Sequence, residues 1–298
     1  MVYVRKHRRR INGKSVDVIK HTREITNKPI IKYPLKSSQS QINKSINIGE
    51  NRIRNKLNKK QYSKIKDIEK RSASGKGTHT RYSRNGKFFK SRSRLHDSIL
   101  RKTFKNNKTI DIQDPDLYIV GGVAGSGKSS TLIPLIPEEV ITIDSDEFKK
   151  ELAKKDKSPL KKYPLAHAGL LHKESSFLYD ESIKKSLKER RDVALDSTLR
   201  NKEKTKKIVT DFKKAGYDIH LLGTQIKPHK SIERAVGRFI NDKSGRYVPL
   251  NVIGNSGNHI NANVIGFIKD VDTHVIMDTT KRPATLVSKE GNILKNYR

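Results

Sequence analysis

Eight residues, Gly122-Val-Ala-Gly-Ser-Gly-Lys-Ser129, stand at the spacing G-x-x-x-x-G-K-S, directly after the apolar run 117–121. Glycines at these places let a backbone wrap closely around an anion while successive N–H groups point inward, and a following helix adds its positive N-terminus. Such a loop holds the β and γ phosphates of a nucleoside triphosphate, ATP being the expected one. Gly122, Gly125, Ser126, Gly127 and Ser130 supply the cradle, Lys128 reaches the phosphates, and the Ser129 hydroxyl is a ligand for Mg²⁺.

Carboxylates follow at two later strand ends. In "ITIDSDEFKK" (141–150), Asp144 and Asp146 fall at the end of an apolar segment, and in "VALDSTLRN" (193–201) so does Asp196, followed by Thr198 and Arg200. In a parallel sheet these ends share the rim that carries a phosphate loop. A carboxylate there can accept the proton of an attacking hydroxyl or help to hold Mg²⁺. Asp146 is also placed to cap a helix starting at Glu147. Asp278, after "HVIM", is a weaker rival that reads as structural. Arg234 and Arg238, four residues apart, and then Arg246 could neutralise charge on a transferring phosphoryl group.

Strand and helix patterns alternate to position these groups. Apolar runs at 117–122, 139–144, 192–198, 218–224 and 273–279 read as buried strands, and a hairpin is expected around 290–292. Helices are expected at 128–135, 146–155, 167–191 and 202–215, preceded by one over 93–104 with Ser93 as its cap. The fold class is α/β: a P-loop NTPase-type parallel sheet sandwiched by helices.

Charge divides the chain. Of 298 residues, 65 are Lys or Arg and 31 are Asp or Glu, a net charge of +34. Residues 1–110 hold 32 basic and 6 acidic side chains, 32 − 6 = +26, leaving +8 for 111–298. Residues 1–92 therefore read as a basic arm, and 93–298 as the catalytic domain. Asn12-Gly13 and Asn85-Gly86 each sit in a short basic segment and favour the two positive φ angles of a type I′ hairpin turn. Residues 25–75, poor in apolar side chains although 50–70 could form a basic helix, read as a largely disordered linker. A polycation of this strength attracts nucleic acid or an anionic membrane surface. The chain has no cysteine, which excludes disulfides and thiolate metal sites. With no apolar run long enough to span a bilayer, a cytoplasmic location is expected, or a virion if the protein is viral.

Residues 93–296 resemble the zeta-toxin family of P-loop kinases. The resemblance lies in "GGVAGSGKSS", "IDSDEFK", "LLHKESS", "ALDSTLRN", "IERAVGR" and "SGRYVP", and the leader "RLHDSIL" is similar to that of phage-associated members. It implies ATP-dependent phosphorylation of a sugar hydroxyl, with UDP-N-acetylglucosamine as the expected acceptor and an antitoxin as a partner. It further implies Asp146 as general base, Arg234 and Arg246 as phosphate clamps, and Glu174, Ser175, Thr198 and Arg200 as acceptor-binding residues. His172 reads as a packed histidine. Two other functions fit the same residues: a polynucleotide kinase whose arm (1–92) delivers the substrate, and a nucleic-acid-binding or virion-associated protein with a P-loop docking module.

Overall fold

The computed structural model describes residues 6–11, 14–19, 33–105, 111–241 and 247–291. Strands β1 (Lys6–Ile11) and β2 (Lys14–Ile19) pair antiparallel, with Ile11 opposite Lys14, as the Asn12-Gly13 spacing predicts. Two helices follow, α1 (Gln39–Lys56) and α2 (Lys59–Ala73), then the single turn α3 (Thr78–Arg81). Strands β3 (Ser83–Arg84) and β4 (Lys87–Phe88) form a second hairpin. Its turn residues Asn85 and Gly86 have φ of 50° and 75°, the type I′ sign pattern that the dipeptide favours. Helix α4 (Lys90–Phe104) leads into the sheet.

The linker expected over 25–75 is overturned for its described part. Each helix there opens with a reciprocal capping box, Ser38 with Gln41 and Asn58 with Gln61, which satisfies backbone donors that would otherwise be exposed. In α1, Ile42, Gly49 and Ile53 fall on one face at i, i+7 and i+11 and are buried. Gly49 lies so close to Leu250, Val236 and Ile232 that a Cβ there would come within 2.6 Å of the Leu250 side chain. Ile65 and Ile68 of α2 join the same core. The helix expected at 93–104 starts at Lys90, and Phe89, not Ser93, occupies its cap position without a side-chain bond.

The remaining elements alternate: β5 (Asp116–Gly121), α5 (Lys128–Thr131), β6 (Ile141–Asp144), α6 (Ser145–Lys155), α7 (Lys157–Lys162), α8 (His172–Glu189) and β7 (Val193–Asp196). Then come α9 (Lys202–Lys214), β8 (Asp218–Gln225), α10 (Pro228–Asn241), α11 (Leu250–Gly266), β9 (Thr273–Asp278) and β10 (Thr285–Glu290). The sheet order is β10-β9-β8-β5-β7-β6, with every neighbouring pair parallel except β9 and β10. Strands β9 and β10 form a hairpin that turns between Asp278 and Thr285, and the hairpin expected around 290–292 lies partly outside the described residues.

Side chains of β5 alternate between two apolar clusters. Leu117 and Ile119 face a large core shared with α1, α2, α4, α6, α8, α10 and α11. Tyr118 and Val120 face a smaller one closed by Leu132, Ile136 and Val140. Burial on both faces is why β5 reads as a continuous hydrophobic run.

Residues 33–37 clasp the N-terminal helices to the sheet. Leu35 N–H donates to Gln225 Oε1 (3.0 Å), and Asn261 Nδ2 donates to the Leu35 carbonyl (2.6 Å). Asn258 bonds both the N–H and the carbonyl of Ser37, and the Tyr33 hydroxyl donates to Asp278 (3.0 Å).

Candidate active site

The phosphate loop lies between β5 and α5, above the centre of the sheet. Gly122 adopts φ 147°, and a Cβ there would meet Thr224 Oγ1 at 2.0 Å, so no other residue fits. Behind the loop, Ser126 Oγ hydrogen-bonds Thr224 Oγ1 (2.6 Å). The Ser231 hydroxyl of α10 donates to the Ala124 carbonyl (2.5 Å). The loop is thus held from β8 and α10 while its inner surface stays open. Lys128 Nζ donates to the Gly122 carbonyl (3.0 Å) and lies 3.9 Å from Asp196 Oδ1. Ser129 and Ser130 are exposed in the first turn of α5.

Parallel pairing of β6 and β7 sets Asp144 directly beside Asp196 in register, at the strand ends facing the loop. Burial, reinforced by Asp196, Asp146 and Glu147, pushes the Asp144 carboxyl up to about 6. Asp196 also rises through burial, with Asp146 adding to the effect and Lys128 opposing it. Two half-buried carboxylates that resist ionisation together are a hard-oxygen donor set short of positive charge.

Asp146 stands in the first turn of α6. The helix cap is Asp144, whose Oδ1 accepts the Asp146 N–H (2.8 Å), so the expected capping role belongs two residues earlier. The Asp146 side chain is left to the rim, where Lys149 Nζ donates to its Oδ1 (2.7 Å). His172 is exposed at this edge and is not the packed core histidine expected from the sequence. Crowding by neighbouring atoms lowers its pKa, Lys149 and Arg200 lower it further, and Asp146 opposes them.

Thr198 and Arg200 are exposed on the same rim. Between them Leu199 holds φ 56°, uncommon for a branched residue, and buries its side chain against Gly121. The Leu199 N–H donates to Ser197 Oγ (3.1 Å), and Asn263 Nδ2 donates to its carbonyl (2.7 Å). This strained residue turns Thr198 and Arg200 outward. Below, the buried Tyr179 is bonded to Ser197, and burial beside Asp196 raises its pKa.

Three expectations from the sequence are corrected by the geometry. Glu174 has no exposure; its carboxylate accepts from Arg92 Nε (2.5 Å) and Nη2 (2.9 Å) and bonds His96 Nε2 (2.6 Å). These bonds hold its carboxyl down at about 2 against the opposing effect of burial. Ser175 is equally buried and donates to the His172 carbonyl (2.9 Å). Both belong to the packing of α8, not to an acceptor surface. Arg234 donates to the carbonyls of Thr279 (2.5 Å) and Thr280 (3.3 Å), beyond β9, so its guanidinium serves a backbone shelf there. Asp278, bonded to Tyr33 and to the Thr280 N–H, is structural as expected. Arg246 lies outside the described residues.

A phosphate loop on a central parallel strand, with acidic residues on the neighbouring strand ends, defines a P-loop kinase fold. The family model described as Zeta toxin matches residues 100–287, and the chain belongs to that family of ATP-dependent kinases. No curated protein matches. Among solved structures, one from the PezAT chromosomal toxin-antitoxin system of Streptococcus pneumoniae shares 15% identity at a TM-score of 0.52. That match covers 68% of this chain and 81% of the other. The AvrRxo1-ORF1:-ORF2 complex shares 18% identity at a TM-score of 0.54, covering 74% and 81%. Its form with ATP shares 17% at 0.54, covering 73% and 79%. At these identities the likeness is one of fold. Among the described residues, no helix is long and apolar enough to cross a membrane.

Proposed function

We propose that the chain transfers the γ-phosphoryl group of ATP to a hydroxyl of a nucleotide sugar, UDP-N-acetylglucosamine being the favoured acceptor. One observation carries this reading: Asp146 is presented at the first turn of α6, salt-bridged to Lys149, beside a rim where Asp144 and Asp196 are neighbours in register. A base for an alcohol acceptor has to stand across the transferred phosphorus from the leaving nucleotide.

The residues fit ATP and Mg²⁺. Gly122 to Ser130 would wrap the phosphates, and Ser129 and Asp196 would hold the metal. Among the described residues, no group of three or more His, Cys, Asp or Glu could hold a metal. Mg²⁺ bound in this way would take one or two protein ligands together with substrate phosphates. Mg²⁺ when bound neutralises charge on the phosphates. Lys128 positions the transferred group, Asp146 accepts the acceptor's hydroxyl proton, and Lys149 orients Asp146. Thr198 and Arg200 line the acceptor side, and Arg246 is the arginine assigned to clamp phosphate. The toxin–antitoxin and two-component complexes among the neighbours favour a protein antitoxin as a partner, and the kinase is assigned to the cytoplasm.

The test is transfer of label from γ-labelled ATP, with UDP-N-acetylglucosamine and short RNA and DNA oligomers offered in parallel to wild type and Asp146→Ala. Label on the sugar nucleotide, lost in the variant, supports the proposal. Label on the oligomers alone would replace it with a polynucleotide kinase. No label on either acceptor, with ATP still bound, would leave a docking module.

A further inference from the structure

We propose that the β3–β4 hairpin and the outer face of α4 form a docking surface for single-stranded nucleic acid. The hairpin is a fixed finger. Phe88 points inward, its ring 5.0 Å from His79, 4.4 Å from His96 and 4.9 Å from Phe177 between centroids. The next residue points out: Phe89 is 47% exposed, one of few large apolar side chains left in water. Its N–H is anchored on the Tyr82 carbonyl (2.9 Å), so the exposed ring stands on ordered backbone.

Around this ring the charges are arranged against their own interest. Arg84 and Lys87 are direct cross-strand partners, and like charges placed opposite one another destabilise a hairpin. Lys90 and Arg94 repeat the conflict at i and i+4 on the helix. Lys90 also sits in the first turn of α4, where the helix dipole disfavours a cation. Arg101 continues the same stripe, and Asp97 is the acidic residue within it. Among the described residues, none of Arg84, Lys87, Lys90, Arg94 and Arg101 has an ion-pair partner. Some lysines elsewhere do have acidic partners, as in Lys184 with Glu181 and Lys207 with Asp211.

A row of cations without ion-pair partners beside one exposed aromatic matches what a single strand offers: regularly spaced phosphates and a base with a free π face. From Lys90 to Arg101 the stripe runs roughly 17 Å along the helix, enough for a few nucleotides. An anionic bilayer would use the cations but has no base to stack on Phe89.

The experiment is fluorescence anisotropy of a labelled 15-nucleotide oligo(dT) or oligo(U) titrated with the full chain across a range of salt. The variants are Arg84→Glu/Lys87→Glu, Phe89→Ala, and a charge-matched control on the exposed face of α9, Lys206→Glu/Lys213→Glu. The finger double variant is expected to weaken binding about tenfold or more and to make the salt slope shallower by about 1.4, two phosphates at roughly 0.7 each. Phe89→Ala should weaken it about five- to tenfold with the slope unchanged, the loss expected of one stacked base. The control should change affinity less than threefold. Equal losses in finger and control, or no effect of Phe89→Ala, would overturn the proposal. So would vesicles of phosphatidylserine and phosphatidylcholine binding as tightly as the oligomers with the same loss in the finger double variant. All substituted side chains are exposed, and thermal unfolding of each variant checks that folding is intact.

Discussion

At the residue scale, the rim is a place where charge and burial conflict. Asp146→Ala is expected to lower phosphotransfer by 10²- to 10⁴-fold, measured as label transfer, while ATP binding persists. Asp144 has a different signature. Its raised pKa means that the folded state prefers the protonated form, so the penalty is absent at low pH and grows as pH rises through about 6. Asp144→Asn keeps an acceptor for the Asp146 N–H and removes the charge. It should raise the thermal midpoint at pH 8 but not at pH 4, with a stability gain of at most about 3 kcal/mol. The same substitution should abolish any fall in activity as pH drops through 6. A midpoint gain equal at both pH values would refute this account.

At the element scale, α4 and α8 are joined by a buried bridge of Arg92, Glu174 and His96. Removing one member of a buried pair leaves an uncompensated charge and costs about 3–5 kcal/mol. Glu174→Gln should therefore lower stability by about that amount in urea unfolding, and failure to destabilise would return Glu174 to the acceptor surface. The sign with pH follows from the lowered pKa. The stabilisation is present above about 4.5 and is lost as pH falls through about 2. The loop, the rim aspartates and their strands were legible in the sequence because each motif is local: an apolar run, a turn, then a helix. Glu174 was misread because its partners lie 82 and 78 residues upstream. Leu199 and Asn263 gave no sequence signal, since a positive φ at leucine is imposed by packing. Helices α1 and α2 did give one, in two capping boxes and an isoleucine stripe completed by a glycine. Few apolar residues were counted as too few, although Gly49 buries by letting Leu250 approach.

At the scale of the whole molecule, the family match begins at residue 100, yet the core begins at Ile42. Ile42 and Ile53 cover apolar side chains of α10 and α11, and α4 supplies the Arg92 that Glu174 needs. Deleting 1–32 should therefore leave the thermal midpoint and ATP-dependent transfer close to those of the full chain. Deleting 1–92 should lower the midpoint by more than 10 °C or abolish soluble expression, since it removes several buried isoleucines at about 2–4 kcal/mol each. Equal stability of the two truncations would make the N-terminal helices a detachable arm after all.

The clasp at Tyr33 to Ser37 sets a reach. Fourteen peptide steps separate Ile19, the end of the first hairpin, from Tyr33, and covalent geometry limits that span to about 50 Å. The sequence carries Asn-Gly-Lys twice, at 12–14 between the strands of the first hairpin and at 85–87 in the second. A strand caught by either would meet the other as a neighbour on the same chain. A second grip on the first hairpin would be an intramolecular neighbour of the finger, and its avidity would fall if residues were inserted between Ile19 and Tyr33.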